Sequence, residues 1–416
     1  MKKYLYPANI LLPDFDKVDG TRWATIACDQ FTSEPDYWNS AEALVKDAPS
    51  ALRVILPEIY LNDEREKRVS AINATMLEYE KSVLAEHKGT MIYLERTDAK
   101  GNLRRGIVAC IDLEDYDYAV GKKPLIRATE GTVLDRIPPR AEVRKNASIE
   151  LPHVMLLIDD KDGKVIEKCA EKKAHFTPAY AFSLMLGGGA VKGYFICEKE
   201  IEEINSRLGS LIDSEENQPL LFAVGDGNHS LATAKAHYES IKKQFPDTAA
   251  ESPARYALCE VVNIHDSSLE FEPIYRVMFD VDAKALADEL RAYADAVSAD
   301  AANKVYPAQV VHCIDIDGEF DVTFAHGCHS LTVGTLQKFL DEYIKSHKEC
   351  EIDYIHGVDS LKALSSRKNA IGFIFDGMEK SDLFPAVSRD GALPRKTFSM
   401  GEARDKRYYI ESRKIK

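Results

Sequence analysis

The segment LLFAVGDGNHSLATAKAHYESIKK, residues 220–243, restricts the fold more than any other stretch of the chain. An apolar run of strand type stops at Gly225-Asp226-Gly227-Asn228-His229-Ser230, and a lysine-bearing helical pattern begins at once. A buried strand that delivers directly into a helix is a junction of α/β architectures. The glycines permit positive φ and close backbone approach, and Asn228 is suited to cap a helix over 229–244. Exposed amides and the dipole at such a helix start favour an anion. Ser230 lies in the first turn, where its hydroxyl can meet a phosphate oxygen, and Lys235 can add charge a turn and a half later. Asp226 would repel a phosphate unless it holds Mg2+ or accepts from a substrate hydroxyl. A plain tight turn accounts for Gly, Asn and Asp but requires neither His229 nor Ser230. Neither a Walker loop nor a Rossmann fingerprint is present at the junction.

A chain of 416 residues is expected to form two or three units. With 45% hydrophobic and 29% charged residues it has the balance of a folded soluble protein. The N-terminal apolar run is broken by Pro7, Asn9 and Pro13, which argues against a signal peptide, and no window approaches a membrane span of roughly 20 apolar residues. The eight cysteines are scattered without CxxC spacing, as buried reduced thiols are, so a cytoplasmic protein is expected. A net charge of −14 repels a nucleic-acid backbone and disfavours DNA as a partner. A small-molecule substrate, even an anionic one, remains open because a local arginine cluster can dominate a cleft. A homo-oligomer is compatible with these properties.

Apolar positions recur at helical spacing in 37–51 and 63–87. MIYLERTD and RRGIVACIDLEDY flank Lys100-Gly101-Asn102 as a hairpin, and HVMLLIDDKDGKVIEKC is expected to form another, turning at Asp160-Lys161-Asp162-Gly163. From Asp280 an Ala-rich helix precedes the short strand candidates VVHCIDID, EFDVTFAHG and HSLTV. The expected division is a core over 1–275 with an N-terminal α+β elaboration, an inserted α+β subdomain over 276–345, and a C-terminal segment over 346–416 that returns to the core. Interleaved strands and helices throughout predict an α/β to mixed α+β fold.

Other polar constellations follow apolar runs. Asp29, in IACDQFTSEPDYW, stands where a strand-end carboxylate serves as base, metal ligand or simple loop residue. Cys28 beside it reads as a small buried residue. Residues 125–153 carry Arg127, Arg136, Arg140, Arg144 and Lys145, whose forks suit carboxylates and phosphates, although an exposed helix face with Asp135, Glu142 and Glu150 explains them equally. LMLGGGAVKGYF reads as a turn or lid. His326, Cys328 and His329 lack the ligand spacing that zinc requires.

Several of these stretches, taken in order, resemble one family. Ala27-Cys28-Asp29 is similar to an early APPYD-like loop, Arg127-Ala128-Thr129-Glu130-Gly131-Thr132 to a HERT-like motif, and Asp226 to Ser230 to a DGHHR-type helix start. Pro273-Ile274-Tyr275-Arg276-Val277 resembles a PxHRV-like element, and Pro394-Arg395-Lys396-Thr397-Phe398 a terminal PxKST-like element. Together they resemble the prokaryotic family of unknown function 1015, often called ParB-like. It is distantly similar to the ParB and sulfiredoxin group, which includes kinases of free serine. Asn228, Ser230 and Tyr275 depart from the His, Arg and His usual in the family, and the missing Arg removes a phosphate fork.

The resemblance implies a ParB/sulfiredoxin-like nucleotide-binding core and phosphoryl transfer between a nucleotide, ADP or ATP, and a small hydroxyl compound such as serine or phosphoserine. Gly225, Gly227, Asn228, Ser230 and Lys235 would then hold phosphates, and Asp226 a Mg2+ ion. Asp29 would be the base and His229 a donor or acid–base group. Arg127, Thr129, Glu130, Arg144, Arg276, Lys396 and Thr397 would meet substrate or anion. A non-catalytic nucleotide- or DNA-binding ParB-like protein is the alternative, and thiol chemistry at Cys28 with His229 a third reading.

Overall fold

Ile92–Thr97 and Leu103–Asp112 form the expected hairpin, closed by Asp98, whose carboxylate accepts from the Lys100 and Asn102 amides at 2.8 Å. The computed structural model describes residues 2–61, 63–119, 121–212 and 219–416. It divides into two units, Met1–Leu269 with Glu402–Lys416, and Glu270–Gly401. Both mix helices with sheet, as the interleaved pattern predicts.

The first unit is organised by a nine-stranded sheet in the order Thr177–Ser183, Ala190–Phe195, Ile92–Thr97, Leu103–Asp112, Tyr256–Asn263, Met155–Ile158, Phe222–Asp226, Ile126–Ala128, Tyr116–Asp117. The Leu103–Asp112 strand shows why this sheet lies inside the unit. Val108 and Cys110 belong to one apolar cluster, while Ile107, Ala109 and Ile111 belong to another. Successive side chains point to opposite faces of a strand, so a continuous apolar run buries both. A smaller sheet joins Ala8–Pro13 to Leu84–Thr90 and to the returning Ser412–Lys414, and Tyr408–Tyr409 pairs with Thr25–Ile26.

The second hairpin expected, over 153–169, does not form. Met155–Ile158 is flanked on both sides, parallel to Tyr256–Asn263 and antiparallel to Phe222–Asp226, so no edge remains for a hairpin partner. The chain instead turns, with Asp160 accepting from the Val165 amide at 2.7 Å, and enters the Ile166–Lys172 helix. The expected helices over 37–51 and 63–87 occupy Pro35–Val45 and Arg65–Ser82, and Leu84–Thr90 is a strand.

The second unit carries an antiparallel sheet in the order Glu319–Phe324, Gln309–Ile314, Ala370–Ile374, Phe271–Phe279, Glu351–His356, with Phe398–Met400 also on Phe271–Phe279. The residues 276–345 lie inside this unit, which continues to Gly401 because Glu351–His356 and Ala370–Ile374 pair with Phe271–Phe279. HSLTV is not a strand. It leads into the Thr332–Ser346 helix, whose buried Val333, Leu336, Phe339, Leu340 and Tyr343 follow helical spacing. No helix among the described residues is long and apolar enough to cross a membrane.

Candidate functional site at a strand-to-helix junction

Phe222–Asp226 runs between Met155–Ile158 and Ile126–Ala128, and its register shifts between Val224 and Asp226 just as it leaves the sheet. Gly227 takes φ +78°, and a Cβ there would lie 3.0 Å from the Val154 Cα, so glycine is required for conformation and for space. The helix spans Asn228–Gln244 with Gly227 as its cap, and no side chain caps it. Asn228 therefore stands at the first helical position and not at the cap, because the left-handed turn has already been made one residue earlier. The first intrahelical bond runs from the Leu231 amide to the Gly227 carbonyl at 3.0 Å. Helix geometry gives the amides of the preceding turn no intrahelical acceptor. Asp226 Oδ1 accepts from the Gly227 amide at 2.9 Å.

Side chains from distant parts of the first unit meet at this turn. Thr129, following the neighbouring parallel strand, donates to the Val224 carbonyl at 2.6 Å and accepts from Asn228 Nδ2 at 3.4 Å. The Val133 amide donates to His229 Nε2 at 3.3 Å. Ser230 Oγ lies 3.1 Å from His153 Nε2, and His153 Nδ1 lies 2.6 Å from the Tyr409 hydroxyl. Asp29 Oδ2 stands 3.8 Å from the same His153 Nε2, with Gln30 Nε2 donating to Asp29 Oδ1 at 3.0 Å. Lys406 Nζ is 3.6 Å from Asp226 Oδ2.

Burial works to raise the pKa of Asp29, but His153, the Gln30 amide and Lys406 outweigh it and hold the carboxyl below its ordinary value. Cys28 behaves oppositely. Burial and the adjacent Asp29 push its thiol up to about 12, although Tyr409 hydrogen-bonds it. A thiol so protonated at neutral pH is a poor nucleophile, which takes away the basis for thiol chemistry.

Other candidates go elsewhere. Lys235 donates to the Leu113 carbonyl at 2.8 Å and pairs with Glu239 at 3.0 Å, so its charge is spent away from the helix start. Arg144 pairs with the buried Glu150. Arg127 is buried in its strand, its Nε donating to the Pro124 carbonyl at 3.0 Å, and the half-buried Glu130 follows Thr129 out of the sheet. Gly225 is the penultimate residue of its strand. Arg276, Lys396 and Thr397 belong to the second unit. There Arg276 is fully buried and donates to Gln337 Oε1 and to the Arg395 and Lys396 carbonyls at 2.9–3.0 Å, which ties the two motif segments to one another. Thr397 donates to the Pro394 carbonyl at 2.7 Å.

His153, Lys406 and Tyr409 were not predicted. His153 ends the arginine-rich segment and carries no spacing signal. Lys406 and Tyr409 lie in DKRYYIESRKI, where the signal is indirect: the apolar triplet Tyr408-Tyr409-Ile410 stands between charged residues, as a short buried segment would.

The fold and this junction define a mixed α/β protein with a polar cluster at the start of a helix. Residues 11–386 match the family described as Protein of unknown function (DUF1015), and the chain belongs to that family. Among solved structures, a mutant free serine kinase in complex with AMP aligns with TM-score 0.39 and 10% identity, covering 74% of this chain and 91% of its own. A conserved hypothetical protein from Pyrococcus furiosus aligns with TM-score 0.36 and 14% identity, covering 74% and 95%. SbnI with a C-terminal truncation from Staphylococcus aureus aligns with TM-score 0.34 and 9% identity, covering 71% and 82%. Likenesses this distant carry no chemistry across. No curated protein matches the sequence.

Proposed function

We propose that this chain is a nucleotide-dependent phosphotransferase acting on a small hydroxyl compound. The observation that supports it is the meeting of two carboxylates, Asp29 and Asp226, with Lys406 and the first turn of the Asn228–Gln244 helix. The helix amides and Lys406 hold the transferred phosphate, since both supply positive potential at one place. Asp29, ionised at neutral pH, orients the acceptor hydroxyl. The acceptor oxygen bonds to the terminal phosphorus as the bond to the nucleotide's leaving oxygen breaks, and the hydroxyl proton passes to Asp29.

Among the described residues no three His, Cys, Asp or Glu side chains gather as a ready-made metal site. That suits Mg2+, which takes one or two carboxylates and completes its shell with water and phosphate oxygens. Asp226 is the residue that would hold it, and the ion would supply charge neutralisation between phosphate oxygens. Gly227, Asn228 and Ser230 shape the phosphate side, while Thr129 fixes Asn228.

The test is turnover with ATP and ADP, with and without Mg2+, against a panel of alcohols that includes serine and phosphoserine. Asp29→Asn and Asp226→Asn are each expected to lower turnover by about 10²–10⁴-fold with the fold intact by circular dichroism. Near-wild-type turnover in both variants overturns the proposal.

A further inference from the structure

A cavity of about 170 Å³ lies in the first unit with His153 and Ser230 in its lining. Its remaining walls are largely aliphatic, from Val54, Leu61, Met76, Val143 and Leu231 among others. The charged groups that reach it come already paired. Arg140 pairs with Glu58, and Glu150 pairs with both Arg144 and Arg413. An apolar cavity of roughly 150 Å³ accepts a molecule the size of benzene.

Resting on the phosphotransferase reading, we infer that this cavity receives the body of the acceptor, an uncharged alcohol with an apolar portion of about six carbons. Its hydroxyl lies toward His153 and Ser230, beside Asp29. Free serine does not suit the cavity. Its ammonium and carboxylate would lose water against aliphatic walls and against charges that have partners, and it would leave most of the apolar space unfilled. An apolar alcohol gains by the same walls and brings a single polar group to the polar side chains of His153 and Ser230.

The experiment uses the full chain, with benzyl alcohol as the apolar probe, L-serine as the polar one and ATP as a separate ligand, read by calorimetric titration and thermal unfolding. Ala147→Leu fills the cavity, and Val143→Phe fills it from another side should the first variant fold poorly. Benzyl alcohol is expected to raise the unfolding midpoint of the wild type and to bind at least tenfold more weakly to either filled variant. L-serine is expected to shift neither, and ATP to bind wild type and filled variants alike. A serine response that survives filling, or a benzyl alcohol response unchanged by both variants, overturns the inference. Absence of ATP binding in the wild type defeats the phosphotransferase reading instead, and the benzyl alcohol result then judges the cavity separately.

Discussion

Lys406 and Arg407 are neighbours in the returning segment, yet they serve carboxylates in opposite ways. Arg407 donates to Glu260 Oε2 at 2.6 Å, to Glu411 Oε2 at 2.5 Å and to the Pro152 carbonyl at 3.0 Å, with Arg407 and Glu260 side chains 3% and 1% exposed. Lys406 stands 3.6 Å from Asp226, and their side chains are 15% and 19% exposed. The first cluster pairs its charges by direct hydrogen bonds in the interior, where a charge without partners costs several kcal/mol. The second holds opposite charges beyond hydrogen-bond length and within reach of solvent. A ligand has nothing to offer the first. In the second it can come between the charges, which is the arrangement of a site and not of a strut.

The sharpest way to break this contrast is Arg407→Ala. It leaves Glu260 and Glu411 buried without their fork, and a loss of about 3–5 kcal/mol in unfolding free energy is expected by urea denaturation. A loss below about 1 kcal/mol would place Arg407 with the exposed pairs and dissolve the distinction. The neighbouring interior pair gives the second test. Burial disfavours the charged form of Glu150, but Arg144, Arg413 and the Leu258 amide outweigh it and bring the carboxyl down to about 2. A depressed folded value means that its contribution is complete above the unfolded value, about 4.5, and fades as pH falls toward 2. The contribution is on the order of 3 kcal/mol. Glu150→Gln should lower stability at neutral pH and flatten its decline between about pH 4.5 and 2, whereas an unchanged slope would show that other carboxylates govern acid unfolding.

This contrast also marks what could be read from the chain. Phe222–Asp226 and the helix after it were legible because an apolar run, two glycines and a periodic helix each point to the same junction. The hairpin at Lys100-Gly101-Asn102 was legible from local turn chemistry, but the one at Asp160–Gly163 was not, since its fate was decided by strands from residues 222–226 and 256–263. Asp29 was singled out because it ends an apolar run. His153, Lys406 and Tyr409 were missed because each acquires its role only through pairing across hundreds of residues, as when Tyr408–Tyr409 joins Thr25–Ile26. Lys235 failed for a related reason. Its spacing placed it near the helix start, but a long flexible stem reached Leu113 and Glu239 instead.

A third test turns from stability to binding. Lys406→Ala removes an ammonium that is not saturated by partners, so unfolding free energy should change by less than about 1 kcal/mol. ATP affinity, by contrast, should fall by about 10–100-fold, the value of a charge-assisted hydrogen bond. Equal losses in stability and affinity would make Lys406 a structural residue like Arg407. Loss of its charge also removes one of the groups that hold Asp29 below its ordinary value, so the acid limb of the pH–rate profile should move upward.

The smallest effect is expected from Ser230→Ala, and it separates two uses of the same hydroxyl. If Ser230 chiefly orients His153, its removal costs one neutral hydrogen bond, about 0.5–1.5 kcal/mol, because Tyr409 at 2.6 Å still fixes the other ring nitrogen. ATP affinity would then change severalfold less than in Lys406→Ala, and the acid limb would stay where it is, since the imidazole of His153 remains beside Asp29. If Ser230 instead grips phosphate, as a first-turn hydroxyl is placed to do, its loss should rival that of Lys406 in affinity. His153→Ala completes the comparison, because only the imidazole's removal should raise the acid limb while leaving the helix amides and Lys406 in place. A Ser230→Ala variant that reproduced that upward shift would mean that the serine holds the imidazole against Asp29, with Tyr409 secondary.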